Sequence, residues 1–315
     1  MMISYPHFCK TKVLKNLLAI ALIFLIPVVA QSQYNQQAWK KYKNEIYFGG
    51  GTSSYLGDLG GGPGEGQQYS LADLNLEGTY YTFSGGLKTK LSSMISFRAD
   101  FTFGSVRGAD SLTLNPGRKS RNLSFTTTFL SLSPLIEVFL LPEKYGRRAS
   151  PISAYVATGV RFVYYEPKAK YNGVWYNLRP LGTEGQLIGG HSTYSKFTVG
   201  LPFIMGVKYK LPTRKSSKSG AWTIGLEASG TWLMTDYFDD VSSTYANPEG
   251  IIESSGEIGL LLADRRLSSQ HLTDGGIRGN PESNDWYGTL QLIVGKKIYK
   301  RSGRGRRVPN SSSYF

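Results

Sequence analysis

The feature that most constrains this chain is a period-two alternation of apolar and polar residues that recurs in long segments. In 222–234, Trp222, Ile224, Leu226, Ala228, Trp232 and Met234 fall on one side, and Thr223, Gly225, Glu227, Ser229 and Thr231 on the other. Segment 197–211 places Phe197, Val199, Leu201, Phe203, Met205, Val207, Tyr209 and Leu211 opposite Thr198, Gly200, Gly206, Lys208 and Lys210. Segment 286–298 sets Trp286, Leu290, Leu292 and Val294 against Thr289 and Gln291. Weaker versions occur at 45–55, 78–91, 95–106, 123–140 and 152–165, which makes eight strands. Side chains of a strand alternate between its two faces, so each segment reads as a strand with one apolar and one polar face. No segment reads as a convincing amphipathic helix. Several strands exceed the usual five or six residues and reach the 9–11 that a tilted strand needs to cross a bilayer.

The connections between these strands span 56–77, 91–95, 107–122, 141–151, 166–195, 212–220 and 236–285, alternating long and short throughout. Outer-membrane barrels have an even number of strands, long extracellular loops and short periplasmic turns. The expected fold is therefore all-β: an eight-stranded antiparallel transmembrane β-barrel with four long extracellular loops and short periplasmic turns. Both termini then lie in the periplasm. Trp222 and Trp232 suit interfacial aromatic girdles at the two ends of one strand. Arg98, Asp100, Glu137, Arg161 and Glu227 fall in the lumen-facing register. Eight strands leave room only for side chains inside, so a buried ionic plug is the favoured reading of these five, with ion passage the alternative.

The N-terminus carries Lys10, Lys12 and Lys15, an apolar run from Leu17 to Val29, and the small-residue exit Ala30-Gln31-Ser32. A basic region, an apolar stretch of about a dozen residues and small residues before the cut form a secretory signal. The expected division is a signal peptide over 1–30, a periplasmic segment over 31–44, the barrel over 45–299 and a basic periplasmic tail over 300–315. The lone cysteine, Cys9, excludes a disulfide framework, a zinc cluster and thiol redox chemistry.

The formal net charge is +14, and its distribution says more than its size. The four long loops hold 17 acids and ten bases; the N-terminal segment, short turns and tail hold eighteen bases, including Lys88, Lys90, Lys296 and Lys297, against Glu143 alone. An exported chain does not meet its genome, so nucleic acid is excluded as a partner despite the tail KKIYKRSGRGRR. A basic periplasmic rim suits an acidic partner protein or anionic head groups of outer-membrane lipid.

Sites of chemistry are sparse. The run Gly57–Gly66 lacks the Lys-Ser/Thr ending of a phosphate loop and carries Asp58 and Glu65 where phosphate would sit. His191 and His271 are the histidines outside the signal, and Ser192 beside His191 has no G-x-S-x-G context. No catalytic, cofactor or metal set and no small-molecule substrate are expected. The segment Thr235–Tyr245, reading TDYFDDVSSTY, is dense in oxygen atoms. Calcium takes six to eight oxygens, but the spacing is not that of an EF-hand, and a loop-ordering hydrogen-bond cluster is the favoured reading.

That same segment, with Asp236, Tyr237, Asp239, Asp240 and Tyr245, resembles the T-D-Y-L-D-D-V-S-x-x-Y signature of the PorG-like outer-membrane barrels of Bacteroidetes, with Phe238 in place of the usual leucine. Two weaker features accompany it: a first strand running into Tyr55-Leu56-Gly57-Asp58-Leu59 and a last strand opening Asn284-Asp285-Trp286-Tyr287. The resemblance implies a non-enzymatic component of the type IX protein secretion and gliding machinery. Such a component holds a periplasmic ring of a PorK-like lipoprotein and a PorN-like protein against the outer membrane. Lys144, Arg147, Arg148, Arg214, Lys215 and Lys218, in the short turns, are the expected contacts. A small porin and an adhesin-like surface barrel are the alternatives, together with a lipid-modifying enzyme centred on His191.

Overall fold

The computed structural model describes residues 40, 42–57, 59, 78–113, 115–143, 150–212, 221–266 and 276–298. The expected signal peptide and basic tail lie outside these residues. The strands are β1 (Asn44–Leu56), β2 (Tyr80–Lys90), β3 (Ile95–Ala109), β4 (Ser124–Leu141), β5 (Ile152–Gly159), β6 (Arg161–Tyr171), β7 (Val174–Asn177), β8 (Phe197–Lys210), β9 (Trp222–Leu233) and β10 (Trp286–Ile298). Two helical segments, α1 (Pro116–Arg121) and α2 (Pro248–Ala263), lie in the longer connections.

Ring closure defines the architecture. β1 pairs antiparallel with β10 from Asn44↔Ile298 to Leu56↔Trp286, and with β2 on its other edge. Antiparallel pairing continues through β3, β4, the combined β5 and β6, β8 and β9, and returns to β10. Eight staves thus form a cylinder in which no spanning strand has a free edge. Lipid offers no hydrogen bonds to a peptide group, so closure is what permits these strands to span a bilayer.

The fifth stave departs from the expected single strand over 152–165. It breaks at Val160, so β5 pairs with the lower half of β4 (Leu135–Leu141) and β6 with its upper half (Thr126–Leu132). Prolines sit opposite the break on both neighbours, Pro134 in β4 and Pro202 in β8, where the missing N–H removes a rung from each ladder. β6 then runs on to Tyr171, past the expected end, and folds back on β7 as a hairpin through Asn172 and Gly173, both with positive φ. Helix α2 was absent from the sequence reading. Its main chain is non-helical at Gly256, and Gly250, Gly256 and Gly259 with two serines dilute any apolar stripe.

The faces follow the alternation. β4 buries Phe125, Thr127, Phe129, Ser131, Ser133, Leu135, Glu137 and Phe139 and turns the intervening residues outward. Phe48, Phe83, Leu87, Phe101, Leu132, Phe162, Phe203, Leu226 and Leu292 are all exposed on the outer wall. An apolar band of this extent on a closed cylinder is a lipid-facing belt. Trp222 at one end of β9 lies in register with Lys296, whose ammonium sits 5.1 Å from the indole centroid; Trp232 at the other end lies in register with Trp286. The ten-residue interval is roughly 33 Å along the strand, which a tilt of about 40° shortens to roughly 25 Å, the height of the apolar band of such barrels.

Leu226 is an outward residue near the middle of the span between these two tryptophans. Leu226→Arg is expected to destabilise the bilayer-folded barrel by about 2–4 kcal/mol, read as a shifted urea midpoint in lipid vesicles. Unchanged stability would show that this face does not meet lipid.

Candidate functional site

The lumen is filled in tiers. At the short-turn end, Glu143 accepts from Lys90 (2.6 Å) and from Lys297. One tier deeper, Glu137 accepts from Lys88 at 2.8 Å and Lys208 at 3.4 Å, while Lys208 also pairs with Glu45 at 3.6 Å. At the centre, Arg98 forks onto Glu227 with contacts of 2.6 and 3.0 Å and reaches Asp100 at 2.7 Å. The tyrosines complete this tier, Tyr47 donating to Asp100 and Tyr155 to Glu227 at 2.6 Å. Above it, Arg161 donates to Ser133, Thr231 and Tyr287 and pairs with Asp100 at 3.5 Å.

Charges buried this deeply are tolerated only when paired and hydrogen-bonded. Six cations face five carboxylates in this column, and their side chains are almost wholly removed from solvent. The five residues expected to plug the lumen, Arg98, Asp100, Glu137, Arg161 and Glu227, are all there. The charge sorting made from sequence needs correction, however. Lys88, Lys90, Lys297 and Glu143, assigned to the rim, point inward and neutralise one another and their neighbours. The period of β2 and β10 already places Lys88, Lys90 and Lys297 on the buried face with Ser84 and Gln291.

The TDYFDDVSSTY segment closes the other mouth. Phe238 descends into the barrel, fully buried, against Phe129, Tyr165 and Tyr287 at centroid distances of 6.0, 5.3 and 5.6 Å. Thr127 Oγ1 donates to the Phe238 carbonyl, and the Phe238 N–H donates to Asp285 at 2.8 Å. Asp239 accepts from the Tyr55 hydroxyl (2.6 Å) and the Val241 N–H (2.9 Å), and Tyr55 also donates to Asp285. Asp240, with positive φ, accepts from Thr183 and Tyr194 at 2.5 and 2.6 Å. Glu184 gathers the Ser242 and Ser243 N–H groups and Arg278 Nη1, while Arg278 donates in turn to the Asp240 carbonyl. Tyr237 stacks on Tyr194 at 4.6 Å, Tyr245 is covered by the Arg266 guanidinium, and Asp236 is buried.

The hydrogen-bond reading of this loop therefore describes its structure, and among the described residues no group of His, Cys, Asp or Glu gathers with metal-site geometry. The three sequence features tied to the family resemblance meet at one point: Tyr55 from the first strand, Asp239 from the central segment and Asp285 from the start of the last strand share one hydroxyl. Glu184, Arg278, Thr183 and Tyr194 were not anticipated. Each lies far along the chain from Asp240, and only the fold brings them together. His191 and Ser192 are exposed in the irregular connection between β7 and β8. Lys144, Arg147, Arg148, Arg214, Lys215 and Lys218, the glycine-rich run from 60 to 66 and His271 lie outside the described residues.

The closed hydrogen-bond ring, apolar outer belt and polar filled lumen define the class as an outer-membrane β-barrel. No protein-family model matches the chain, and no curated protein sequence matches it. Among solved structures it is similar to Neisserial surface protein A (9% identity, TM-score 0.34), over 81% of this chain and 96% of that one. It is likewise similar to Ail, the attachment invasion locus protein of Yersinia pestis (9% identity, TM-score 0.33, 81% and 98% covered). OprG of Pseudomonas aeruginosa has 8% identity and a TM-score of 0.32, with 82% and 98% covered.

Two outcomes follow from this geometry. Glu137→Gln leaves Lys88 and Lys208 short of a counter-charge and is expected to destabilise the barrel by about 3–5 kcal/mol. A double exchange, Lys88→Met with Glu137→Leu, is expected to recover part of that loss in the same urea titration. The second outcome concerns pH. Burial pushes the Asp240 carboxyl up to about 6, against the opposing pull of Arg278 and the two hydroxyl donors, from an ordinary value near 3.8. Between those values the closed loop holds a proton that a released loop does not, so closure weakens as pH rises through this window. Amides of 236–245, corrected for intrinsic exchange, should be better protected from hydrogen exchange at pH 4 than at pH 7.5. Asp240→Asn should abolish the difference.

Proposed function

We propose that this barrel is a non-enzymatic outer-membrane component of a type IX protein secretion and gliding system. In this reading it anchors a periplasmic ring of PorK-like lipoprotein and PorN-like protein. The carrying observation is that three separated segments of the family resemblance form one structural unit at the mouth, centred on Tyr55, Asp239, Asp285 and Phe238. A lumen packed with ion pairs from the short-turn end to the cap favours a scaffold over a porin. In this reading the loop-rich end faces outward and both termini are periplasmic. The ring meets the short-turn end, where Lys144, Arg147, Arg148, Arg214, Lys215 and Lys218 supply positive charge and complementary potentials steer encounter and register.

Photo-crosslinking from Tyr145 in the native cell, followed by mass spectrometry, tests the contact. Ring proteins should be recovered; lipid alone from a correctly inserted barrel would count against anchoring. Combined reversal of Arg147, Arg148 and Arg214 to Glu should lower ring co-purification by at least about tenfold, since each reversal exchanges attraction for repulsion. The heat-modifiable migration of the folded barrel should stay unchanged. Full ring retention by this variant would sink the docking site.

A further inference from the structure

The outer wall beside the broken fifth stave carries two depressions stacked one above the other. The lower is an apolar groove of about 330 Å³ crossing β3, β4, β6 and β8, walled by Phe101, Leu130, Leu132, Phe162, Tyr164 and Phe197. Its rungs are continuous: Phe101 is in register with Leu132, Leu132 with Phe162, Leu130 with Tyr164, and Tyr164 with Phe197. The upper depression, about 210 Å³ and lined in part by Tyr80, Arg107, Thr126, Lys170 and Trp175, is of mixed polarity.

Charge is arranged around the upper depression. Arg107 is in register with Thr126, and Thr126 with Lys168, so two cations flank one threonine on the outer face of three adjacent strands. Lys170, two residues on, lies 5.8 Å from the Trp175 ring. Arg107 and Lys170 are exposed and Lys168 is half-buried. None of the three is in a salt bridge within the described residues, whereas Glu166, the carboxylate on this face of β6, is held by Lys196 at 2.8 Å. The row of Arg107, Thr126 and Lys168 stands four residues above the Leu130–Tyr164 row, roughly 13 Å along the strand.

We propose that these two depressions form one binding site for a phosphorylated acyl lipid of the leaflet at the loop-rich end. An acyl chain lies in the groove of Phe101, Leu132 and Phe162, and the phosphate is held by Arg107, Lys168 and Lys170. The groove lies within the lipid-facing belt, so an acyl chain is the occupant its surroundings supply. Three unneutralised cations at the level where that belt ends match an anionic head group, and the guanidinium of Arg107 adds forked donation to phosphate. Bulk lipid needs only the belt; the cations directly above the groove add selection for phosphate.

The test uses the full chain purified in detergent micelles, so it does not depend on barrel orientation or on ring anchoring. Diphosphorylated lipid A is titrated and bound lipid is counted by native mass spectrometry, with dephosphorylated lipid A and inorganic phosphate as comparators. Wild-type protein should prefer the phosphorylated lipid, and inorganic phosphate, lacking a chain for the groove, should compete poorly. The triple substitution Arg107→Gln, Lys168→Gln and Lys170→Gln should weaken phosphorylated-lipid binding on the order of 100-fold, as expected of three interfacial cations. Binding of the dephosphorylated lipid should stay unchanged. Because all three side chains are on the outer surface, heat-modifiability verifies that the variant folds. Equal binding of the two lipids by wild type, unchanged affinity in the triple variant, or effective competition by inorganic phosphate would each overturn the assignment.

Discussion

The constraint on which everything else depends is that a peptide group in hydrocarbon must find its hydrogen-bond partner within the protein. The pairing of β1 with β10 along the full length of both strands meets it. Once that seam is closed, the number of staves fixes the bore, and eight staves leave space for side chains and little else. The inner face must then be solved as a core. Unlike the core of a soluble domain, it is lined by the polar half of each alternation, so pairing of charges takes the place that apolar packing holds elsewhere.

That exchange has a structural consequence. Arg98 on β3 and Glu227 on β9 are separated by 129 residues yet form a forked pair across the bore. Lys88 on β2, Glu137 on β4 and Lys208 on β8 join three further staves. A strand that slipped by one residue would turn its charges into lipid and its phenylalanines into this network. The ion pairs contribute modestly to stability against an ideal apolar filling, but they penalise every wrong register. The broken fifth stave shows the same logic at a weak point: where Pro134 and Pro202 leave rungs unmade, Arg161 begins the next segment and ties the wall to Ser133, Thr231 and Tyr287.

The barrel was legible in the sequence because alternation and loop parity are both local signals. Segments such as 197–211 and 286–298 show their two faces without reference to anything distant, and the lumen assignment of Arg98, Asp100, Glu137, Arg161 and Glu227 followed from register alone. Lys88, Lys90 and Lys297 lie close to the short turns, but the period that places the other five also points these three inward. Helix α2 lacked a local signal because its glycines interrupt the stripe that would have marked it. The partners of the cap were illegible for another reason: Thr183, Glu184 and Tyr194 reach Asp240 and its neighbours from another loop and Arg278 from 38 residues further along the same one, and no spacing rule relates them.

The cap also changes what a sequence motif of this kind means. A run with three aspartates and flanking hydroxyls reads naturally as a ligand site, but here Asp239 and Asp240, and Asp285 from the start of the last strand, are engaged within the protein. Asp239 takes Tyr55 and the Val241 N–H, Asp285 takes Tyr55 and the Phe238 N–H, and Asp240 takes Thr183 and Tyr194. Arg278 and Glu184 close the circuit around the backbone of 240–243. The motif thus specifies how a side chain, Phe238, is lowered into the bore and how the loop carrying it is locked. Elsewhere at this end, Ile252 and Leu261 of α2 and Val174 and Trp175 of the β6–β7 hairpin are exposed and take no part in that circuit. Closure is therefore carried by residues distinct from the exposed apolar ones, and a substitution among the exposed ones leaves the lock on Phe238 intact.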